Sequence, residues 1–193
     1  MTFTTENGGG LRRYLKLGTH PILLTRAEEI RVEAEGLAGL LSWQSEVTRA
    51  FFETRFAPCS GNSHALQALL ADCPRVLLLA VTLGQPLSDR VRQYMAANRC
   101  LEGYLMDRMG SFWAETAMRS LDRQASGSHR AAGGRTTRRF SPGYHDFSLE
   151  AQKPFVELIG GRWPGLHITS GGLLLPEKTI TAVVGVWPGA GSC

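Results

Sequence analysis

Cysteine is scarce in this sequence, and the four cysteines lie far apart. Cys59, Cys73, Cys100 and Cys193 form no CxxC pair, the spacing that many structural zinc sites use. Four thiols spread over 193 residues are also too few for a disulfide scaffold. We therefore interpret them as buried or incidental thiols of a protein that folds in a reducing compartment.

Long apolar segments are missing as well. The longest strongly apolar run covers residues 76–81, far short of the about 20 residues that a membrane-spanning helix needs. Residues 1–7 lack the basic start and the apolar stretch of a signal peptide. The sequence therefore predicts a cytoplasmic protein with no membrane contact.

Common catalytic signatures are absent too. The sequence contains no GxSxG elbow, no P-loop, no HExxH and no GxGxxG after a strand. The histidines do not stand at metal-ligand spacings. These absences argue against α/β-hydrolases, P-loop nucleotidases, zinc proteases and dinucleotide-binding enzymes.

Lysine is rare, and arginine supplies nearly all of the positive charge. The chain has 18 Arg, 3 Lys and a formal net charge of +4. Six of the arginines and His129 fall between Arg119 and Arg139, opposed there only by Asp122. Such a cluster suits an anionic partner: a nucleic acid, a carboxylate or phosphate ligand, or an acidic protein surface. Few aromatic residues interleave with the arginines, so a nucleic acid is the least favoured of these partners.

Apolar periodicity predicts several helices. Spacings of three, four and seven residues predict one long helix from Pro86 to about Leu121, on which Gly103 and Gly110 permit close backbone approach. The other expected helices cover residues 26–41, a short segment capped by Asn62 or Ser63, and residues near 148–159 after Ser148 as N-cap. Residues 46–56 fit either a helix or a strand.

The remaining pattern indicates strands and loops. Residues 75–84 are typical of a buried strand, and two more β-like runs cover residues 166–169 and 179–186. Residues 1–10 are expected to form a flexible N-terminus and residues 122–138 a loop. We therefore expect a single α+β domain over residues 1–193, with a twisted, largely antiparallel sheet flanked by helices.

The segment Arg139-Phe-Ser-Pro-Gly-Tyr144 is the most informative motif. Pro142 and Gly143 suit the central positions of a type II turn, because Pro presets φ and Gly accepts a positive φ. Arg139 can bind a carboxylate through two parallel hydrogen bonds, and Tyr144 adds an aromatic wall with a polar tip. This combination suits an amino-acid-like or nucleoside-like ligand.

This segment resembles the S-adenosylmethionine (AdoMet)-binding motif Arg-x-Ala/Ser-Pro-Gly-Tyr in the activation domain of cobalamin-dependent methionine synthase. The chain is more similar still to short stand-alone relatives of that domain. Further stretches that resemble these relatives occur in the same order along the chain: Arg13-Tyr-Leu15, residues 76–84, Ile168-Thr169 and residues 176–185. The resemblance thus covers nearly the whole sequence.

The resemblance implies reductive reactivation of a corrinoid, in which an electron donor re-reduces oxidised cobalamin and AdoMet methylates it. AdoMet would be bound by this chain, and the electrons would come from a protein such as flavodoxin or ferredoxin. The sequence has no Asp-x-His-x-x-Gly cobalamin motif, so the cobalamin is expected on a partner, either a corrinoid-binding protein or a methionine synthase core. The chain would then be a component of an AdoMet-dependent methyltransferase.

Site residues follow from the same resemblance. Arg139 would pair with the methionine carboxylate, Ser141 would offer backbone contacts, and Tyr144 would lie close to the ligand or the corrin. Pro142 and Gly143 would shape the loop. The resemblance implies no acid–base residue and no metal ligand of this chain's own, because the reaction needs mainly alignment of its two reactants.

Glu115 is matched to an acidic residue that binds the AdoMet amino group, and a solvated helix glutamate is the alternative interpretation. Four positions depart from the family pattern, among them Ser170, which stands where an acidic residue is common. Gly171 stands where relatives usually have Ser, and Ile180 and Thr181 take the place of a tyrosine pair. These departures keep a second hypothesis open, namely a non-catalytic module that docks on a corrinoid or methyltransferase partner.

Overall fold

An antiparallel sheet with strand order β1-β2-β6-β3 organises the fold. The structure is a computed structural model and describes residues 8–189. Within these residues the strands are β1 (Leu41–Thr48), β2 (Arg75–Thr82), β3 (Arg135–Thr136), β4 (His167–Ile168), β5 (Leu174–Leu175) and β6 (Thr179–Trp187). β4 and β5 form a separate two-stranded ribbon.

Helices take up most of the connections. Over residues 8–189 the α-helices are α1 (Gly8–Leu15), α2 (Pro21–Leu37), α3 (Arg49–Ser60), α4 (His64–Leu69), α5 (Gln85–Ala96), α6 (Cys100–Ala131) and α7 (Gln152–Ile159). Short 3₁₀ turns flank α7 at Leu149–Ala151 and Gly160–Arg162.

Both faces of β2 are buried, which accounts for its continuous apolar run. Leu77 and Leu79 pack against Met118 of α6 on one face. On the other face, Leu78 packs in a cluster with Phe56 of α3, to which α4 and α7 also contribute. The chain therefore forms one α+β domain in which helices cover an antiparallel sheet on both sides, as the sequence predicted.

The predicted strands and caps are largely confirmed. β2 and β6 lie where apolar runs predicted them, and they pair in antiparallel register along their length. Ser63 caps α4, since its hydroxyl accepts a hydrogen bond from the backbone N–H of Leu66. Ser148 likewise accepts from the N–H of Glu150 at the turn before α7. The ambiguous residues 46–56 contain both element types, because β1 ends at Thr48 and α3 begins at Arg49.

Helix boundaries differ from the prediction in several places. The helix expected over residues 26–41 begins at Pro21 and ends at Leu37. The expected long helix from Pro86 is two helices, separated where Asn98 adopts a left-handed φ of 58°. A flexible N-terminus over residues 1–10 is wrong for residues 8–10, which start α1. Residues 1–7 lie outside the described part of the chain.

The loop predicted over residues 122–138 is wrong for most of its length. α6 continues through Ala131, and residues 135–136 form β3. Small residues make this possible, because Ala125 packs on the sheet in the same cluster as Met118. Ser126, Gly127 and Ser128 therefore belong to a helix that lies close to the sheet, whereas Gly133 and Gly134 follow its end.

Among residues 8–189, no helix is both long enough and apolar enough to cross a membrane.

Candidate functional site

The edge of β6 is open beside its first residues, and a cavity lies there. On this side β3 pairs only with Trp187 and Val186, and Phe140 then exchanges two backbone hydrogen bonds with Val183, at 2.9 and 2.8 Å. Beyond this pair, residues 142–146 form turns. The resulting cavity has a volume of about 370 Å³, within the range of small-molecule sites.

The cavity brings together most of the residues that the sequence predicted. Its wall includes Glu115 of α6 and every residue of the Arg-Phe-Ser-Pro-Gly-Tyr segment except Gly143. Tyr144 is 66% exposed and stands at the mouth. Two elements that are distant in sequence, α6 and the loop after β3, thus contribute to one site.

The predicted turn is confirmed. The N–H of Tyr144 donates to the carbonyl oxygen of Ser141 at 3.2 Å, and Gly143 has φ 89°. A positive φ at this third position is the mark of a type II turn, and only Gly adopts it without strain. Gly143 thus shapes the loop, and its N–H also donates to the carbonyl of Phe147 at 2.7 Å.

The loop is fixed to α4 by Asp146. The Ser63 hydroxyl donates to this carboxylate at 2.6 Å, and the N–H of Ala65 donates at 3.2 Å. The hydrogen bond from Ser63, with that from the Ala65 N–H, holds the pKa of Asp146 below its usual range. The carboxylate therefore joins the loop to the start of α4.

Arg139 and Glu115 form an ion pair on the cavity wall. The Arg139 guanidinium donates to a Glu115 carboxylate oxygen, and Arg119 donates to the same oxygen at 3.0 Å. The side chains of Arg139 and Glu115 are 22% and 35% exposed. Glu115 is therefore partly exposed and is held by two arginines at the cavity.

Two further cavity residues were not predicted as site residues from the sequence, although Thr181 was noted as a departure from the family pattern. Gln152 Oε1 and Thr181 Oγ1 are buried, and neither atom has a hydrogen-bond partner. Both residues line the same cavity as Arg139 and Glu115. A buried polar atom without a partner is uncommon and costs free energy of folding. Gln152 follows the Arg139–Tyr144 segment by eight residues, and nothing in its neighbours distinguished it from any other residue at the start of a helix.

A basic cleft adjoins the cavity. Arg119, Arg123, Arg130 and Arg138 line it, together with Asp122, and its volume is about 390 Å³. Arg138 borders both the cleft and the cavity. The three helix arginines are spaced by four and seven residues, so they share one face of α6. Within residues 8–189, Arg123, Arg130 and Arg138 form no ion pair.

The described part of the chain contains no cluster of metal ligands. No group of three or more His, Cys, Asp and Glu side chains in residues 8–189 is placed to hold a metal ion. The site is instead a cavity with charged and neutral hydrogen-bonding groups on its walls.

Neither a family model nor a curated protein matches the chain. The resemblance to methionine synthase activation domains therefore stays a prediction.

Proposed function

We propose that this chain binds AdoMet in the cavity at the β6 edge and supports reductive methylation of a corrinoid carried by a partner methyltransferase, such as a methionine synthase. The observation that carries the proposal is the pairing of Arg139 with Glu115 on the cavity wall. One cationic and one anionic group side by side match the two charges of an α-amino acid.

The charged groups of Arg139 and Glu115 can exchange each other for the charged groups of a bound amino acid. Without ligand, the Arg139 guanidinium and the Glu115 carboxylate satisfy each other. A bound amino acid presents its carboxylate to Arg139 and its ammonium group to Glu115, which replaces one charged pair by two. Charge-assisted hydrogen bonds of this kind are about twice as strong as neutral ones. Methionine, the amino-acid part of AdoMet, carries both groups.

Positioning is the chemistry that this site supplies. In the proposed reaction the methyl group passes from the sulfonium sulfur to the reduced cobalt of the partner, S-adenosylhomocysteine leaves, and a flavodoxin- or ferredoxin-type protein provides the electron. The turn at Pro142 and Gly143 fixes the cavity wall, and Asp146 fixes the turn. Two aligned reactants of high reactivity need little acid–base assistance.

The partner has a surface to contact beside the cavity. The basic cleft shares Arg138 with the cavity, and its arginines are exposed. A partner that brings its corrinoid to the mouth near Tyr144 must cover part of this cleft. We therefore expect the partner's facing surface to be acidic.

Calorimetric titration with AdoMet tests the proposal. Arg139→Ala removes a charged hydrogen bond to the ligand carboxylate, so we expect its Kd to rise about 10- to 100-fold. Arg55→Ala is the matched control, since Arg55 forms an ion pair with Glu157 away from the cavity. Its Kd should equal that of the wild type.

Two results would decide against AdoMet binding or in favour of the alternative function. A wild-type chain that binds no AdoMet, with or without a corrinoid-carrying partner, contradicts the proposal. If that chain nevertheless co-purifies with a corrinoid methyltransferase, the non-catalytic docking module is the better function.

A further inference from the structure

Two buried atoms without a hydrogen-bond partner, Gln152 Oε1 and Thr181 Oγ1, belong to residues that line one cavity. Thr181 is only 3% exposed, and its hydroxyl has no partner. Valine, which has a methyl group in place of that hydroxyl, would fill the same volume. Buried polar groups are nearly always paired, and a missing ligand or water is one explanation for those that are not. Their shared wall therefore indicates that a hydrogen-bonding ligand enters there.

The two charged residues and the two neutral residues lie on opposite sides of the sheet. Side chains alternate along β6, so Thr181 lies on the same face as Val183, which packs with Phe155 of α7. Gln152 is the first residue of α7 and belongs to that layer. Glu115 comes from α6, which covers the other face. The cavity thus passes around the open edge of β6, with a charged end and a neutral end.

We infer that Gln152 and Thr181 form a subsite for the nucleoside end of the ligand, while Arg139 and Glu115 bind its amino-acid end. This inference rests on the proposed function and adds the residues that recognise the neutral half. A carboxamide presents an acceptor and a donor side by side, the arrangement that pairs with the N6/N7 edge of adenine. The threonine hydroxyl both donates and accepts, so it suits a second polar atom of the nucleoside.

Two partial ligands separate the ends of the cavity. S-methylmethionine carries the amino acid and the sulfonium without a nucleoside, and 5′-methylthioadenosine carries the nucleoside without the amino acid. Thr181→Val and Gln152→Leu should each weaken AdoMet and methylthioadenosine about five- to tenfold and leave S-methylmethionine unchanged. Arg139→Ala should weaken AdoMet and S-methylmethionine and leave methylthioadenosine unchanged. Thr181→Ser should keep the wild-type affinities for all three ligands. Displacement of labelled AdoMet measures all three ligands.

Thermal stability without ligand gives a second readout. Thr181→Val removes a buried hydroxyl that has no partner, so we expect its Tm to rise by about 2–4 °C while its affinity falls. Ser88→Ala is the matched control, because Ser88 Oγ is also buried and partnerless but lies in α5, away from the cavity wall. Its Tm should rise as well, with no change in affinity.

Each outcome decides between the two proposals. If Arg139→Ala weakens AdoMet but Thr181→Val and Gln152→Leu bind all three ligands as the wild type does, the nucleoside subsite is wrong and the AdoMet proposal stands. If the wild type binds neither AdoMet nor methylthioadenosine, both proposals are wrong.

Discussion

Asp146 links the loop that follows Phe140 to the start of α4. It is exposed, yet it accepts hydrogen bonds from Ser63 and from the N–H of Ala65. Ser63 in turn caps α4 by accepting from Leu66. One carboxylate therefore connects the loop, the cap and the first turn of a short helix, which explains why its pKa is lowered.

The lowered pKa of Asp146 predicts a loss of stability in acid. The folded state favours the ionised carboxylate of Asp146 more than the unfolded chain does. The resulting stabilisation is therefore complete above the unfolded pKa of about 3.9. It disappears as pH falls through the lower folded pKa. We expect wild-type Tm to exceed that of Asp146→Asn at pH 6, with the difference closing as pH falls below about 4. Differential scanning calorimetry at several pH values measures it.

Other carboxylates whose pKa is lowered, Glu28 and Glu102, titrate in both proteins and cancel in the difference. A Tm difference that stays constant from pH 6 into acid would show that Asp146 acts by packing and not by its charge.

Residue types revealed the charged half of the site but not the neutral half. Arg139, Pro142 and Gly143 have properties that a turn and a carboxylate site require, so they could be read from the sequence. Gln152 and Thr181 have ordinary neighbours in sequence. Only the fold makes them conspicuous, because burial without a partner depends on what the surrounding helices and strands leave unfilled.

At the scale of elements, the contact between α5 and α6 depends on glycine. A Cβ added to Gly110 would lie 2.8 Å from Leu87 Cδ2 and 3.3 Å from Lys178 Cε. Leu87 is fully buried, so it has no free space to move into. A Cβ at Gly127, further along α6, would meet nothing within 4 Å. We therefore expect Gly→Ala to affect the free energy of unfolding differently at Gly110 and at Gly127.

Gly127→Ala should raise the free energy of unfolding by up to about 1 kcal/mol, the difference in helix propensity between the two residues. Gly110→Ala gains the same propensity, but overpacking costs about 1–3 kcal/mol, so we expect a net loss. Urea denaturation of the two variants and the wild type measures both. Equal stabilisation of both variants would contradict the close approach at Gly110.

The ends of elements were harder to predict than their existence. The periodic apolar positions of α6 were visible, but its last ten residues are rich in Ser, Gly and Arg, which favour loops in isolation. They form a helix because Ala125 is buried against the sheet, and tertiary packing outweighs weak local preference. The break at Asn98 had only one local signal, since Asn tolerates the left-handed conformation better than most residues.

At the scale of the whole molecule, extending α6 turns an arginine-rich sequence into a defined surface. As a loop, residues 122–138 would present their charges in no fixed arrangement. As a helix, Arg119, Arg123 and Arg130 line one cleft with Arg138, directly beside the ligand cavity. Four exposed arginines are therefore held in a fixed arrangement beside the cavity.

This surface predicts salt-dependent binding to acidic protein segments. A fluorescent decaglutamate peptide serves as the probe, and an oligothymidylate of equal charge is the comparison. We expect the peptide to bind, and its affinity to fall as salt rises from about 50 to 300 mM, since the screening length shortens. The double variant Arg123→Glu/Arg130→Glu should weaken peptide binding at least about tenfold, because both charges are reversed. Arg55→Glu, outside the cleft, should have little effect.

Measuring AdoMet affinity distinguishes effects on the basic cleft from effects on the cavity, since neither Arg123 nor Arg130 lines the cavity. The double variant should therefore bind AdoMet as the wild type does. Two results would contradict an acidic protein partner: peptide binding that survives the charge reversal, or an oligothymidylate that binds more tightly than the peptide at every salt concentration. The second result would favour a nucleic acid, whose phosphates release counterions on contact with arginine and so give a steep dependence on salt.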